Sequence, residues 1–219
     1  MSRLDPRLGQ IASTGMRRVP FTLAFLAVML AANAVAGTFS GHIDGTVLTA
    51  RGIGVDAIRD GDVSRFVTAI FLSHDPAMLL RQLLFAASAI GITEWLWGSP
   101  RAAGLFFGID LTATLVLLAA VALIPGLAAL SKITDVGMSM GGFGLIGVLI
   151  AAHGKRAYEL IAILGMVAGK YALAPERLAD AGHVIALIIG FSIGLSVVRP
   201  ATSDPLPDHH PEQSVRLDD

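Results

Sequence analysis

The sequence predicts an all-α, polytopic membrane protein with six transmembrane helices, and three observations lead to this prediction. Of the 219 residues, 54% are apolar and only 15% are charged, whereas about a quarter of the residues in an average soluble domain are charged. The mean hydropathy is +0.69. Apolar stretches of membrane-spanning length also recur along the chain, and basic residues cluster beside several of their ends.

Six stretches approach the roughly 20 mostly apolar residues that a helix needs to cross a bilayer. In chain order, the first to the sixth predicted span are residues 19–38, 78–97, 102–127, 136–152, 157–175 and 180–198. Four charged residues fall near the ends of the second and fifth spans: Arg81, Glu94, Glu159 and Lys170. Long charged side chains in such places reach the interface, so we expect these segments to span as well.

The distribution of charge predicts the orientation of the spans. The basic residues that flank them are Arg3, Arg7, Arg17, Arg18, Lys155, Arg156 and Arg199. The segment 39–77 instead combines five aspartates with three arginines. The positive-inside rule therefore places both termini in the cytoplasm and segment 39–77 outside. We expect a multi-pass protein of a bacterial plasma membrane.

Three regions follow from this topology. Residues 1–18 form a basic cytoplasmic tail, residues 19–198 form the membrane domain, and the proline-rich residues 199–219 form a disordered cytoplasmic tail. An alternative is that residues 1–36, which end in Ala34-Val35-Ala36, are a cleaved signal peptide. Cleavage leaves an odd number of spans, and this does not agree with the charge pattern.

Composition excludes several kinds of site. The chain has no cysteine, which excludes disulfides, thiol catalysis and cysteine-based metal sites. Its net charge of −1 does not indicate a surface for nucleic acid. The pair His209-His210 lies in a tail where such a pair is solvated. The sequence therefore predicts no metal and no cofactor.

Two polar residues, Ser139 and His183, lie at similar depth in different spans. Ser139 is four residues inside Asp135 and His183 is three residues inside Asp180, about 6 Å and 4.5 Å along a helix axis. Both spans run from outside to inside, so the two side chains share a level near the outer face. A serine hydroxyl and an imidazole that meet inside a bilayer can act as a nucleophile and its base.

The residues around this pair predict that the fourth and sixth spans touch. Small residues recur at helical spacing beside them, namely Gly137, Gly141 and Gly144 in the fourth span and Ala186 and Gly190 after His183 in the sixth. Phe143 lies one turn from Ser139, where its ring can pack on the imidazole. Between Asp135 and His153 the fourth span has 17 residues, about 25 Å, which is short for a hydrocarbon core of about 30 Å. Its neighbours must shelter it. In the alternative interpretation, Ser139 is a packing residue that bonds to its own helix.

These residues resemble the rhomboid family of intramembrane serine proteases. Gly137-Met138-Ser139 and the glycines after it are similar to the motif that opens the family's fourth helix, and His183 with Gly190 to the stripe on its sixth. Further motifs appear upstream in the family's order: Gly61-Asp62-Val63-Ser64-Arg65-Phe66, Phe71-Leu72-Ser73-His74, Gly91 with Glu94, and Gly98-Ser99 with Arg101. The resemblance covers roughly residues 20–198.

The resemblance implies a six-helix fold and a serine endopeptidase that uses a Ser139–His183 dyad without a cofactor. It also implies a substrate, the transmembrane segment of another membrane protein, which enters beside the second and fifth helices and is cut near the outer face. The chain departs from the family where two oxyanion donors are expected on the second helix, because Leu79 and Leu83 occupy those positions. Further departures are Met140 and Ala186, which stand where the family has glycine. Gln82 and His74 are the candidate replacement donors.

Two other functions remain open. One is a rhomboid-like protein of weak or no activity that binds transmembrane helices. The other is a small transporter or channel, based on Asp110, Glu94 and Arg81. We expect Asp110 to lie in the cytoplasmic half, far from Ser139 in depth, and to bond to a neighbouring helix. We expect Glu94 to bind Arg101.

Overall fold

The computed structural model describes residues 18–153 and 156–197, and within these ranges the regular structure is helical. The α-helices, in chain order, are α1 (Pro20–Val35), α2 (Gly45–Arg51), α3 (Val55–Arg59), α4 (Arg65–Thr68), α5 (Pro76–Trp97), α6 (Ser99–Leu123), α7 (Ser139–Ala152), α8 (Arg156–Leu173) and α9 (Arg177–Val197). Three 3-10 helices lie between them, at Thr38–Ser40, Ala69–Phe71 and Pro125–Lys132. The all-α prediction is confirmed.

Six of these helices coincide with the six predicted spans: α1, α5, α6, α7, α8 and α9. Within the described ranges, three helices are long and apolar enough to cross a membrane, namely α5, α6 and α9. Helices α1 and α7 are apolar but shorter. The three long helices indicate a membrane protein. The predicted tails lie outside the described residues, except for Arg18.

Local sequence explains where the long helices begin and end. The Asp75 side chain accepts a hydrogen bond from the Met78 N–H at 2.8 Å, and Pro76 follows it, so α5 starts with a capped first turn. Gly98 ends α5 with a φ of 82°. A side chain is disfavoured at this angle, and the glycine therefore permits the sharp turn into α6.

Helix α7 lies at the centre of the molecule. It packs most extensively against α9, and also against α6 and α5. Its Leu145 is fully buried in a core that includes Phe25 of α1, Ile90 of α5 and Phe106 of α6. Helix α8 is peripheral, since Val167 alone is buried among its described residues. The short central helix is sheltered by longer neighbours, as predicted.

Helices α7 and α9 approach so closely that only glycine fits at their contact. A Cβ atom added to Gly190 overlaps the Gly144 carbonyl group, and one added to Gly147 overlaps the Leu187 carbonyl oxygen. Gly194 continues this contact against Val148 and Ala151. The small-residue stripe predicted on the sixth span therefore faces the fourth, since the backbones themselves make the contact.

The predicted stripe on the fourth span requires correction. Gly137 precedes α7 and has a φ of 128°, so it is not on a helix face. A Cβ atom on Gly141 points into the Phe106 ring, and one on Gly144 points at Ile109, both on α6. These two glycines make room for α6 side chains, and Gly144 meets α9 through its backbone.

Glu94 also differs from expectation, because it binds the start of α1 and not Arg101. Its side chain is 1% exposed and accepts hydrogen bonds from the backbone N–H groups of Phe21 and Thr22 at 2.8 and 2.7 Å. The hydroxyl groups of Thr22 and Ser99 also donate to it. At the start of α1 the N–H groups of Phe21 and Thr22 have no carbonyl partner within the helix, and the Glu94 carboxylate satisfies both. Arg101 is exposed.

Candidate active site

Ser139 is the first residue of α7, and the chain before it explains why the helix starts there. Asp135 and Ile53 exchange backbone hydrogen bonds of 2.9 Å, and the Gly137 N–H donates to the Ala69 carbonyl oxygen at 2.8 Å. These bonds and the positive φ of Gly137 keep the preceding residues out of the helix. The predicted start at residue 136 was too early, and the remaining 14 residues extend only about 21 Å.

The side chains of Ser139 and His183 meet between α7 and α9. His183 Nε2 lies 2.9 Å from Ser139 Oγ, a normal length for this hydrogen bond. Both residues are half-buried. The hydroxyl donates to Nε2 when the imidazole is neutral and carries its proton on Nδ1, which is the tautomer that a general base needs.

Aromatic packing holds the imidazole. The Phe143 ring stacks on the His183 ring with a centroid distance of 4.3 Å and an interplanar angle of 19°. Phe85 of α5 packs against the same phenylalanine at 5.4 Å, and Gly142 leaves room for the Phe85 ring. The ring is therefore held by a column of aromatic side chains from α5 and α7. The contact between Phe143 and His183 agrees with expectation.

The first turn of α7 presents free N–H groups beside the serine hydroxyl. The first N–H groups of any helix lack partners within it. Among the described residues, no acceptor binds the N–H groups of Ser139 and Met140. A helix N-terminus also carries a partial positive charge. The helix start therefore favours negative charge on an atom close to Ser139 Oγ.

Asp110 lies close to this turn, contrary to the prediction that it is far from Ser139. Its carboxylate accepts the Gly141 N–H at 2.9 Å and is 5% exposed. The expected structural bond to another helix is present. Helix α6 begins three residues before the predicted span and ends four residues before its predicted end, so Asp110 lies near the middle of this 25-residue helix. Asp110 and Ser139 line one recess, together with Arg65, Thr114 and Asp135.

Gln82 is the one buried side chain with an unpartnered polar atom in the described part of the chain. It is 5% exposed, and its Oε1 accepts a hydrogen bond of 2.8 Å from the Ser73 hydroxyl. Its Nε2 faces Gly137, where a side chain would collide with it. Leu79 is buried in the core and Leu83 packs against it. The amide between these leucines therefore approaches the turn that leads into Ser139.

His74, the second candidate donor, pairs with another residue. Its Nε2 lies 3.2 Å from Asp135 Oδ1, and the described hydrogen bonds include none from His74 to Ser139. The hydrogen bond to Asp135 raises the pKa of His74 above its ordinary value of 6.5. The imidazole ties the start of α5 to the segment before α7.

This pair predicts a pH-dependent stability. A histidine whose pKa is higher in the folded state stabilises the protein fully below its unfolded pKa, near 6.5, and this contribution is lost as the pH rises through the folded pKa. We expect the melting temperature of the parent protein to exceed that of His74→Gln at pH 5.5 by more than at pH 8.5. A difference that grows with pH would contradict the pairing.

Two contacts of the site were not foreseen from the sequence. The Met140 side chain reaches Gly182, where a Cβ atom would overlap its methyl group, and the Thr114 hydroxyl donates to its sulfur at 3.3 Å. The bulky residue after Ser139 is thus accommodated by the glycine before His183. Lys170, expected to extend to the interface, binds Glu176 and Asp180 at 2.8 Å each.

The site brings together a hydroxyl group and an imidazole, the pair of groups that can carry out acyl transfer. In the described residues, no group of three or more histidine and acidic side chains is arranged to hold a metal ion. No protein-family model matches the chain, and no curated protein shows significant similarity to it. The assignment of function therefore depends on the geometry of the site.

Proposed function

We propose that the protein is an intramembrane serine endopeptidase of rhomboid-like architecture, which cuts a transmembrane segment of another membrane protein near the outer face. The observation that carries the proposal is the contact of 2.9 Å between His183 Nε2 and Ser139 Oγ. Two helices built from apolar and small residues bring these groups together. A packing serine bonds to its own helix, whereas this one bonds to a histidine 44 residues away.

The proposed topology has six spans, both termini in the cytoplasm and the segment 39–77 outside. It is supported by six helices at the predicted positions and by the basic residues that flank the proposed cytoplasmic ends of these helices. Large apolar side chains are also exposed on the surfaces of α5, α6 and α9, among them Leu80, Leu84, Leu115, Val116 and Ile188. Lipid is the natural partner of such surfaces.

The proposed reaction proceeds in two steps. His183 Nε2 accepts the Ser139 proton while Oγ forms a bond to the carbonyl carbon of the substrate peptide. The C–N bond then breaks, and His183 donates the proton to the leaving amine nitrogen. In the second step His183 accepts a proton from water, the water oxygen attacks the acyl carbon, and Oγ leaves and recovers a proton. Phe143 keeps the imidazole aligned throughout.

The negative oxygen formed during each attack requires donors. We assign the Ser139 N–H and the Gln82 amide to this role. The first is free at the helix start. The second is buried without a partner beside Gly137. A buried donor without a partner is destabilising in the resting protein, but it is useful where charge develops during the reaction.

Replacing Gln82 by leucine is expected to lower kcat/KM by about 10²–10³, the usual effect of losing one oxyanion donor. The loss falls mainly on kcat, because the oxygen becomes charged only in the transition state. Kinetics on a transmembrane substrate in liposomes measures this effect. His74→Gln serves as the control, since His74 binds Asp135, and it is expected to keep the rate. An undiminished rate for a folded Gln82→Leu variant would remove Gln82 from the reaction.

The function itself is tested with a single-span substrate that carries a different tag at each end, reconstituted with the protein in liposomes. We expect two fragments, with mass spectrometry placing the cut near the outer face. Binding of the substrate without any fragment favours the helix-binding alternative, which the leucines at positions 79 and 83 support. Ion flux that depends on Asp110 favours a transporter. Either result would overturn the protease assignment.

A further inference from the structure

A buried polar network connects α1 with Gln82. Its first member is Asn33, which is fully buried near the end of α1. The Asn33 Nδ2 group donates to the carbonyl oxygens of Met29 at 2.9 Å and Phe71 at 2.8 Å. Its Oδ1 accepts the Ser73 N–H at 2.9 Å. The two carbonyl acceptors fix the orientation of this amide, because an amide oxygen cannot replace the donor there.

Ser73 links Asn33 to the side-chain amide of Gln82. Its backbone is held by Asn33, and the Thr38 hydroxyl lies 3.4 Å from its carbonyl oxygen. Its side chain is fully buried, and within the described residues its hydroxyl has one partner, Gln82 Oε1 at 2.8 Å. Because the hydroxyl donates, the amide oxygen of Gln82 faces Ser73 and its Nε2 group faces Gly137.

The opposite orientation of the Gln82 amide would leave the buried Ser73 hydroxyl without its one acceptor among the described residues, and it would also disable the site. If the amide turned over, Nε2 would donate to Ser73 Oγ, and a carbonyl oxygen would lie beside Gly137. An acceptor in that place repels an oxyanion. The observed orientation leaves a buried N–H group unpaired, which costs free energy and is expected where a ligand supplies the missing acceptor.

We propose that Ser73, held by Asn33, is a positioning residue that turns the Gln82 amide so that its Nε2–H donates to the carbonyl oxygen of the peptide being cut. This inference rests on the proposed function. Stabilisation of the oxyanion then depends on the Ser73 hydroxyl, which lies in the loop before α5. It also depends on the packing of α1, because Asn33 of that helix holds Ser73.

A double-mutant cycle tests whether Ser73 acts through Gln82. Ser73→Ala is expected to lower kcat/KM roughly tenfold, about the factor that corresponds to one neutral hydrogen bond, and mainly through kcat. In the Gln82→Leu background the same change is expected to have no further effect. Ser88→Ala is the matched control. Ser88 lies on α5, the helix that carries Gln82, and its hydroxyl donates to a carbonyl oxygen of that helix. This variant should leave the rate unchanged in both backgrounds.

Two outcomes of the cycle would overturn the proposal. One is an equal loss from Ser73→Ala in both backgrounds, which indicates a role in stability alone. The other is no loss in the parent background. Ser73→Cys provides a second variant of nearly the same shape with a much weaker donor, and it is expected to show the same loss with an unchanged melting temperature.

A measurement that needs no peptidase activity separates this proposal from the proposed function. The nuclear Overhauser effect between the Gln82 side-chain amide protons and the Gly137 α protons reports the orientation directly. We expect it in the parent protein and in Ser88→Ala, and expect it to be lost or weakened in Ser73→Ala. If the signal is unchanged in Ser73→Ala, Ser73 does not orient the amide, whether or not the protein cleaves a substrate.

Discussion

If the proposed function holds, replacing Ser139 by alanine is expected to abolish cleavage of a transmembrane substrate, with a fall in kcat/KM of about 10⁴–10⁶, the size of loss measured when a serine hydrolase loses its nucleophile. The alanine has no oxygen to form the acyl bond, and the water that remains is a poor nucleophile. Replacing His183 by alanine is expected to cause a fall of similar size, because the Ser139 hydroxyl keeps its proton. The double variant should fall no further, since the two residues act as a unit.

The control for this prediction is another serine on a helix of the same bundle. Ser192 lies on α9, is exposed, and donates to the Ile188 carbonyl oxygen of its own helix at 2.8 Å. Ser192→Ala should cleave at the parent rate. Cleavage by purified Ser139→Ala at more than about a hundredth of the parent rate would contradict the assigned nucleophile, given the size of loss expected.

Replacing Gly190 by alanine is expected to have the largest effect on stability. The added methyl group overlaps the backbone of Gly144, which cannot rotate away as a side chain can. Helices α7 and α9 must move apart, and overpacking of this kind costs about 3 kcal/mol, at the upper end of the usual range. The dyad bridges these two helices, so the reaction rate should fall together with the stability.

Gly165 provides the matched control on α8. A Cβ atom added there meets nothing within 4 Å, and alanine in a helix interior is favoured over glycine by roughly 0.5–1 kcal/mol. Thermal unfolding in detergent should therefore place Gly190→Ala below the parent protein and Gly165→Ala at or above it. Equal melting temperatures for the two variants would show that α7 and α9 are not in backbone contact.

Much of the helical arrangement was predictable from the sequence. The apolar stretches indicated the positions of six helices, α1, α5, α6, α7, α8 and α9, because a helix that crosses a bilayer needs about 20 mostly apolar residues. The positions of Ser139 and His183 relative to Asp135 and Asp180 indicated that they meet. The spacing of Ala186 and Gly190 after His183 indicated which face of α9 packs on α7, because glycine at helical spacing permits close approach of backbones.

Other features depend on contacts between distant segments, which spacing alone does not reveal. The start of α7 depends on the residues before it, where Gly137 has a positive φ and donates a hydrogen bond to the distant Ala69 carbonyl oxygen. Asp110 meets the first turn of α7 through its hydrogen bond with the Gly141 N–H, a contact between residues 31 positions apart in the chain. The pairing of Met140 with Gly182 depends on the angle at which two helices cross. The Asn33–Ser73–Gln82 network joins three segments whose polar residues carry no recognisable spacing.

The most direct measurement is the reaction of the purified protein with a fluorophosphonate, followed by mass spectrometry of the intact chain and its peptides. We expect one phosphonyl group per chain, located on Ser139, with no labelling of Ser139→Ala and a strongly reduced rate in His183→Ala. A label on a different serine, or a folded parent protein that takes up no label, would contradict the Ser139–His183 dyad as a catalytic pair.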